Sequence, residues 1–163
     1  MSIQSEIREQ MVEAMRARDA LRLSVLRGLL TAFTNELVAK KPARLEDGSR
    51  SGGRKPDESL ADEEAISVIS RQAKQRKDSI EQYQKGGRPE LAEAEKAELS
   101  ILETFLPAQM SEEEINSYVE KKQAELGVMD KTGANQLMGA VMKDLKGKAD
   151  GTLVKAAVDK LWS

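Results

Sequence analysis

Leu23, Leu26, Leu30, Phe33 and Leu37 follow one another at steps of three and four residues. Steps averaging close to 3.6 put all five side chains on one stripe of an α-helix and would scatter them over both faces of a strand. The stripe predicts an amphipathic helix from about Asp19 to Ala39, with Asp19 as its N-cap. Upstream, Ile3, Ile7, Met11, Ala14 and Met15 mark a shorter helix, with Ser2 placed to accept an orphan backbone N–H. The two form a helical hairpin or a single kinked helix. Ile66, Ile69, Ala73, Ile80 and Tyr83 carry the same period through a third helix, about Asp62 to Gln84. Gly86 and Gly87 end it, and Pro89 opens a fourth at the first-turn position that proline tolerates, with Leu99, Leu102 and Leu106 on its seam. The tight glycine turn predicts antiparallel packing of helices three and four.

Leu106-Pro107 closes this half, and Ser111-Glu112-Glu113-Glu114 opens a new helix with a capping box. Beyond it, Ile115, Tyr118, Val119 and Leu126 line one helix, Ala134, Met138, Val141 and Leu145 a second, and Leu153, Ala157, Val158 and Leu161 a third. The expected architecture is all-α: an N-terminal helical domain of about four helices over residues 1–106 and a C-terminal three-helix bundle over 107–163. From Lys41 to Ser59 the period stops, and Pro42, Gly48, Gly52, Gly53 and Pro56 predict a mobile loop. Its Arg44, Arg50, Arg54 and Lys55 are placed to reach an anion.

Composition narrows the chemistry. Two Phe, two Tyr and one Trp leave the core to aliphatic side chains, which suits helix packing. The absence of Cys and His removes disulfides, thiol nucleophiles, imidazole bases and the commonest zinc ligands together. No P-loop, dinucleotide glycine fingerprint or GxSxG elbow is present. Asp62 to Glu64 and Glu112 to Glu114 sit in first turns, where carboxylates complement the helix dipole, so no metal or cofactor is expected. Twenty-six basic against 28 acidic residues give no global basic field. The polar N-terminus and the lack of a long apolar run predict a cytoplasmic protein without membrane attachment.

Two seam positions carry charge where an apolar residue is expected. Arg76 on helix three and Glu95 on helix four lie at similar distances from the shared turn, which predicts a partly buried ion pair. The sharper alternative makes them the acid and base of an enzyme. Two basic features stand out besides. Arg71, Lys74 and Lys77 form an oblique stripe on helix three. Lys143, Lys146 and Lys148 surround Gly147, and Ala149-Asp150-Gly151 leads into the last helix. Lysines, a glycine-permitted turn and a helix N-terminus placed together can receive a phosphate, although each is also ordinary capping chemistry.

Met138-Gly139-Ala140-Val141-Met142, Lys146-Gly147-Lys148-Ala149-Asp150-Gly151 and Leu153-Val154 resemble the tail domain shared by YqeY proteins and the GatB subunit of glutamine-dependent aminoacyl-tRNA amidotransferase. Arg22 to Arg27, Lys74 to Ile80, Gly87-Arg88, Glu98 to Glu103 and Leu106-Pro107 are similar to the N-terminal part of the YqeY family. The resemblance covers almost the whole chain. It implies the same all-α, two-domain organisation. The long 41–59 segment and Ala61, in place of a capping hydroxyl, depart from the family pattern.

What the resemblance implies about function comes from GatB, whose tail helps to hold tRNA. On that analogy Lys143, Lys146, Gly147 and Lys148 contact the tRNA backbone, and Arg71, Lys74 and Lys77 extend the surface. The family also carries an association with carbon-nitrogen ligase activity using glutamine as amide donor. This chain lacks GatB's catalytic body and any amidase Ser-Lys arrangement, so its expected part is that of a non-catalytic accessory to a tRNA synthetase or amidotransferase component. The alternative is a helical protein-interaction adaptor that makes no RNA contact.

Overall fold

The computed structural model describes residues 1–40 and 59–163, and the chain divides into two compact units, Met1–Phe105 and Leu106–Ser163. The regular structure of the described residues is helical, without strands: α1 (Ile3–Ala17), α2 (Ala20–Lys40), α3 (Asp62–Lys85), α4 (Pro89–Glu103), α5 (Glu112–Leu126), α6 (Ala134–Asp144) and α7 (Gly151–Lys160), with a short 3₁₀ turn at Lys131–Gly133. The fold is all-α, as periodicity and resemblance predict. The segment expected to be a mobile loop, with Arg44, Arg50, Arg54 and Lys55, lies outside the described residues apart from Ser59. Among the described residues no helix is long and apolar enough to cross a membrane.

In the first unit, Ser2 caps α1 by accepting the Ser5 N–H at 3.2 Å. Arg18 ends that helix in the left-handed region, with φ 57. Asp19 then starts α2, its Oδ1 accepting the Arg22 N–H at 2.9 Å. Reversing within two residues makes the pair a hairpin, and Arg22 Nη2 donates back to Gln10 Oε1 across it. α2 is touched by α1, α3 and α4. A helix covered from three sides buries a wider arc than a two-helix seam. Val25 and Leu29 are accordingly buried with Leu26, Phe33 and Leu37, whereas the expected seam residues Leu23 and Leu30 are half-buried.

The starts of α1 and α3 serve each other. Asp62 Oδ1 accepts the Ile3 N–H at 2.9 Å, and Gln4, a buried polar side chain, accepts the Leu60 N–H at 3.2 Å. Ala61 offers no side-chain acceptor at the N-cap of α3. Glu64 Oε2 instead takes the Ala61 N–H at 3.2 Å, the reciprocal half of a capping box. α3 buries Ala65, Val68, Ile69 and Ala73, while Ile80 and Tyr83 towards its end are half-buried. Gly87, at φ 68, turns the chain into Pro89, and α4 packs along α3. Leu106 does not continue the α4 seam. The helix stops at Glu103, and Phe105 is the side chain that enters the core after it.

The second unit is a three-helix bundle. Its first helix has the predicted capping box: Ser111 Oγ accepts the Glu114 N–H at 3.2 Å, and Glu114 Oε2 accepts the Ser111 N–H at 2.7 Å. Ile115 and Val119 of α5, Leu137 and Val141 of α6, Leu145 just beyond it, and Val154, Ala157 and Val158 of α7 form the core. Leu137 and Val154 lie deeper than the expected Met138 and Leu153, which pack at the edge. Leu126 is exposed, because Gly127 ends α5 there with φ 66, and Val128 plugs the core from the loop.

Val128 demands a glycine opposite. A Cβ on Gly133 would lie 2.5 Å from Val128 Cγ1, a short β-branched side chain with nowhere to swing. Elsewhere in the bundle, Tyr118 donates its hydroxyl to Asp144 Oδ2 at 2.8 Å, and Lys122 Nζ lies 3.0 Å from the same oxygen. These two contacts tie the end of α6 to α5. The Tyr118 hydrogen bond first, and Lys122 second, hold the Asp144 carboxyl below its ordinary range. Bonding to Asp144 raises both the Tyr118 hydroxyl and the Lys122 ammonium above their ordinary values.

Two outcomes are expected from this packing. Gly133→Ala destabilises the C-terminal unit by about 1–3 kcal/mol, as overpacking does. Urea unfolding followed by Trp162 fluorescence reads the loss, which shrinks when the same change is made in a Val128→Ala background. The second concerns pH. A carboxyl held low in the folded state stabilises above its ordinary pKa of 3.8, and that contribution fades as pH falls through the lower folded value. Acid titration of Asp144→Asn therefore shows a shallower loss of stability below pH 3.8 than the unaltered chain; superimposable curves would show that the tie contributes nothing.

Candidate functional site

The corner between α6 and α7 is built from short-range hydrogen bonds. Leu145 follows α6, and its carbonyl accepts the N–H groups of Lys148 at 2.9 Å and Ala149 at 3.2 Å. Gly147, at φ 78, allows that tight reversal, which an L side chain would strain. The outer side of the turn is then pinned by the segment preceding α5. Gln109 Nε2 donates to Gly147 O and the Met110 N–H to Lys148 O, both at 2.8 Å. Nothing in the sequence pattern around Gln109 signals this, because the partner is 38 residues away.

Lys143, Lys146 and Lys148 are exposed at this corner, and none forms an ion pair with a described residue. Three lysines within six residues of sequence thus follow one another from the last turn of α6 into the hydrogen-bonded reversal. Asp144, the acid that interrupts them in sequence, is engaged with Tyr118 and Lys122. The sequence offers two readings of the N-terminus of α7, a phosphate-binding element or ordinary capping, and Asp150 provides the cap. Asp150 Oδ1 already accepts the Thr152 N–H at 2.8 Å, so a carboxylate occupies the place an anion would take. With the Lys148 and Ala149 N–H groups also bonded to Leu145, lysine charge is the corner's main offering to an anion. Gly147 shapes the turn.

The stripe on α3 divides. Arg71 Nη1 meets Glu36 Oε2 of α2 at 3.2 Å, and Lys77 Nζ lies 3.8 Å from Glu103 Oε1 of α4. Lys74 is exposed, without an ion pair to a described residue. Two of the three cations are therefore partly neutralised by carboxylates from neighbouring helices, which a reading along one helix cannot see.

Arg76 and Glu95 are brought together, with Arg76 Nη1 donating to Glu95 Oε2 at 2.9 Å. A second carboxylate missed from the sequence joins them: Arg76 Nη2 reaches Glu98 Oε2 at 2.5 Å. Glu98 lies three residues after Glu95, so the spacing that puts both on one helical face is the signal that could have found it. The three side chains remain 17 to 31% exposed, a clamp between α3 and α4 at the edge of the core. Several carboxylates of the acidic first turns are likewise engaged. Asp62 and Glu64 accept the backbone N–H groups described above, Glu64 also pairs with Lys40, and Glu112 pairs with Lys160 at 3.0 Å.

The comparisons with known proteins agree on one kinship. The model of the YqeY-like protein family matches residues 4–161. Among curated proteins, "altered inheritance of mitochondria protein 41, mitochondrial" of Vanderwaltozyma polyspora is 29% identical over 91% of this chain and 70% of its own length. Its namesake in Kluyveromyces lactis is 30% identical over 69% of this chain, which spans 54% of that protein. That of Pyrenophora tritici-repentis is 29% identical over 83% of this chain and 67% of its own length. With the family match running through both helical units, the chain belongs to the YqeY-like protein family.

Proposed function

We propose that this chain is a non-catalytic accessory module that binds tRNA through backbone phosphates, with Lys143, Lys146 and Lys148 as its principal contacts. The observation that carries the reading is the α6–α7 corner, where exposed Lys143 in the last turn of α6 and Lys146 and Lys148 on the hydrogen-bonded reversal after it make no ion pair with a described residue. Ammonium groups without carboxylate partners release counterions when they meet phosphates, and such contacts position a nucleic acid without reading its sequence. Support also comes from the resemblance of this segment to the GatB tail. Lys74 is the member of the α3 stripe best placed to add a contact, since Arg71 and Lys77 face carboxylates. On this reading the chain works in the cytoplasm beside a tRNA synthetase or amidotransferase component, which supplies the glutamine-dependent carbon-nitrogen ligase chemistry. The chain itself has neither Cys nor His to offer as nucleophile or base.

The test is a salt titration of tRNA binding by fluorescence anisotropy. The logarithm of the affinity should fall linearly with the logarithm of salt, each phosphate contact adding about 0.7–0.9 to the slope. The double variant Lys146→Glu, Lys148→Glu should bind more than about tenfold more weakly at low salt and lose close to two contacts' worth of slope. Affinity indifferent to both salt and the variant would sink the proposal. A protein partner retained after RNase treatment, and equally by the double variant, would then favour the adaptor.

A further inference from the structure

A groove of about 320 Å³ opens between α2 and α3, within the first unit. Ala32, Ala39 and Val68 give it apolar surface, and every other lining side chain is polar. Glu36 comes from α2 and Arg71 from α3, so opposite charges stand on opposite walls. They touch at one point, Arg71 Nη1 to Glu36 Oε2 at 3.2 Å. A guanidinium has five N–H donors and a carboxylate about four lone-pair sites, so a single contact leaves most of both unused. Asn35, Gln72 and Gln75 add three amides, none of which hydrogen-bonds a described residue through its side chain.

We propose that this groove binds a free amino acid as its zwitterion, the carboxylate on Arg71 and the ammonium on Glu36. Insertion replaces one single-point ion pair by two charge-assisted contacts and leaves no charge unmatched. A phosphate or simple carboxylate fits less well, because Glu36 repels it, and a simple amine meets Arg71 in the same way. The amides of Asn35, Gln72 and Gln75 both donate and accept, which selects a polar, uncharged ligand side chain over an aliphatic one. The volume lies at the small end of ligand sites and suits a molecule of this size. The inference is independent of the lysine corner, which lies in the other unit.

The experiment is an NMR titration of the ¹⁵N-labelled full chain with asparagine at neutral pH. Saturable shifts confined to residues 32–39 and 68–75 are expected. Propionate and propylamine, each carrying one of the two charges, should bind at least about tenfold more weakly, since each forfeits a charge-assisted contact. Arg71→Met and Glu36→Gln should each weaken asparagine binding to a similar extent. Both side chains are partly exposed, and an unchanged helical circular dichroism spectrum would show that the variants fold. Shifts that grow linearly or spread over the chain, or propionate equal to asparagine, would overturn the proposal. Leucine equal to asparagine would overturn the role given to the amides.

Discussion

Every α-helix leaves backbone N–H groups without partners in its first turn, and the specific contacts of this chain are organised around that deficit. Ser2, Asp19, Ser111 and Asp150 each meet it with their own side chain. α1 and α3 meet part of it for each other, through Asp62 on Ile3 and Gln4 on Leu60. The last exchange matters because it crosses more than 50 residues of sequence and brings the start of α3 back to the start of α1. Apolar burial supplies the larger free energy, but it is non-directional. Caps state where each helix begins and therefore which side chains the apolar stripe presents.

The same economy governs the candidate site. At the α6–α7 corner the Lys148, Ala149 and Thr152 N–H groups already have partners within the corner, so what the surface adds is lysine charge. A hydrogen-bonded turn orders the backbone that carries Lys146 and Lys148, so less backbone entropy is lost on meeting an anion than from a loose loop. The α2–α3 groove is the opposite case. Its charged pair is minimally engaged and its amides make no hydrogen bond with a described residue, so its capacity faces outwards.

Charge was more clearly legible in the sequence as sign than as availability. Arg71, Lys74 and Lys77 look equivalent along α3, yet Glu36 and Glu103 approach two of them from other helices. Lys143, Lys146 and Lys148 look diluted by Asp144, but Tyr118 and Lys122 engage that carboxylate. Arg76 and Glu95 stand as charges on facing seams in the sequence, whereas Glu98 joins them only because Arg76 has a second guanidinium nitrogen within its reach. In each case the deciding group lies on a different element, and helical periodicity carries no information about which neighbour arrives.

The sequence by itself determined the seven α-helices of the described residues, most of their starts, the glycine turns at Gly87 and Gly147, and the absence of thiol and imidazole chemistry. These follow from local rules: the 3.6-residue period, side-chain caps within three residues, and a glycine's tolerance of positive φ. Only the tertiary structure decided that α2 is covered from three sides, that Val128 fills the bundle against Gly133, that Glu36 and Glu103 approach the α3 stripe, and that Gln109 pins the lysine corner. The physical reason is range. A cap or a turn is satisfied by residues adjacent in the chain, whereas burial, steric exclusion and charge pairing depend on which surfaces packing brings within a few ångströms.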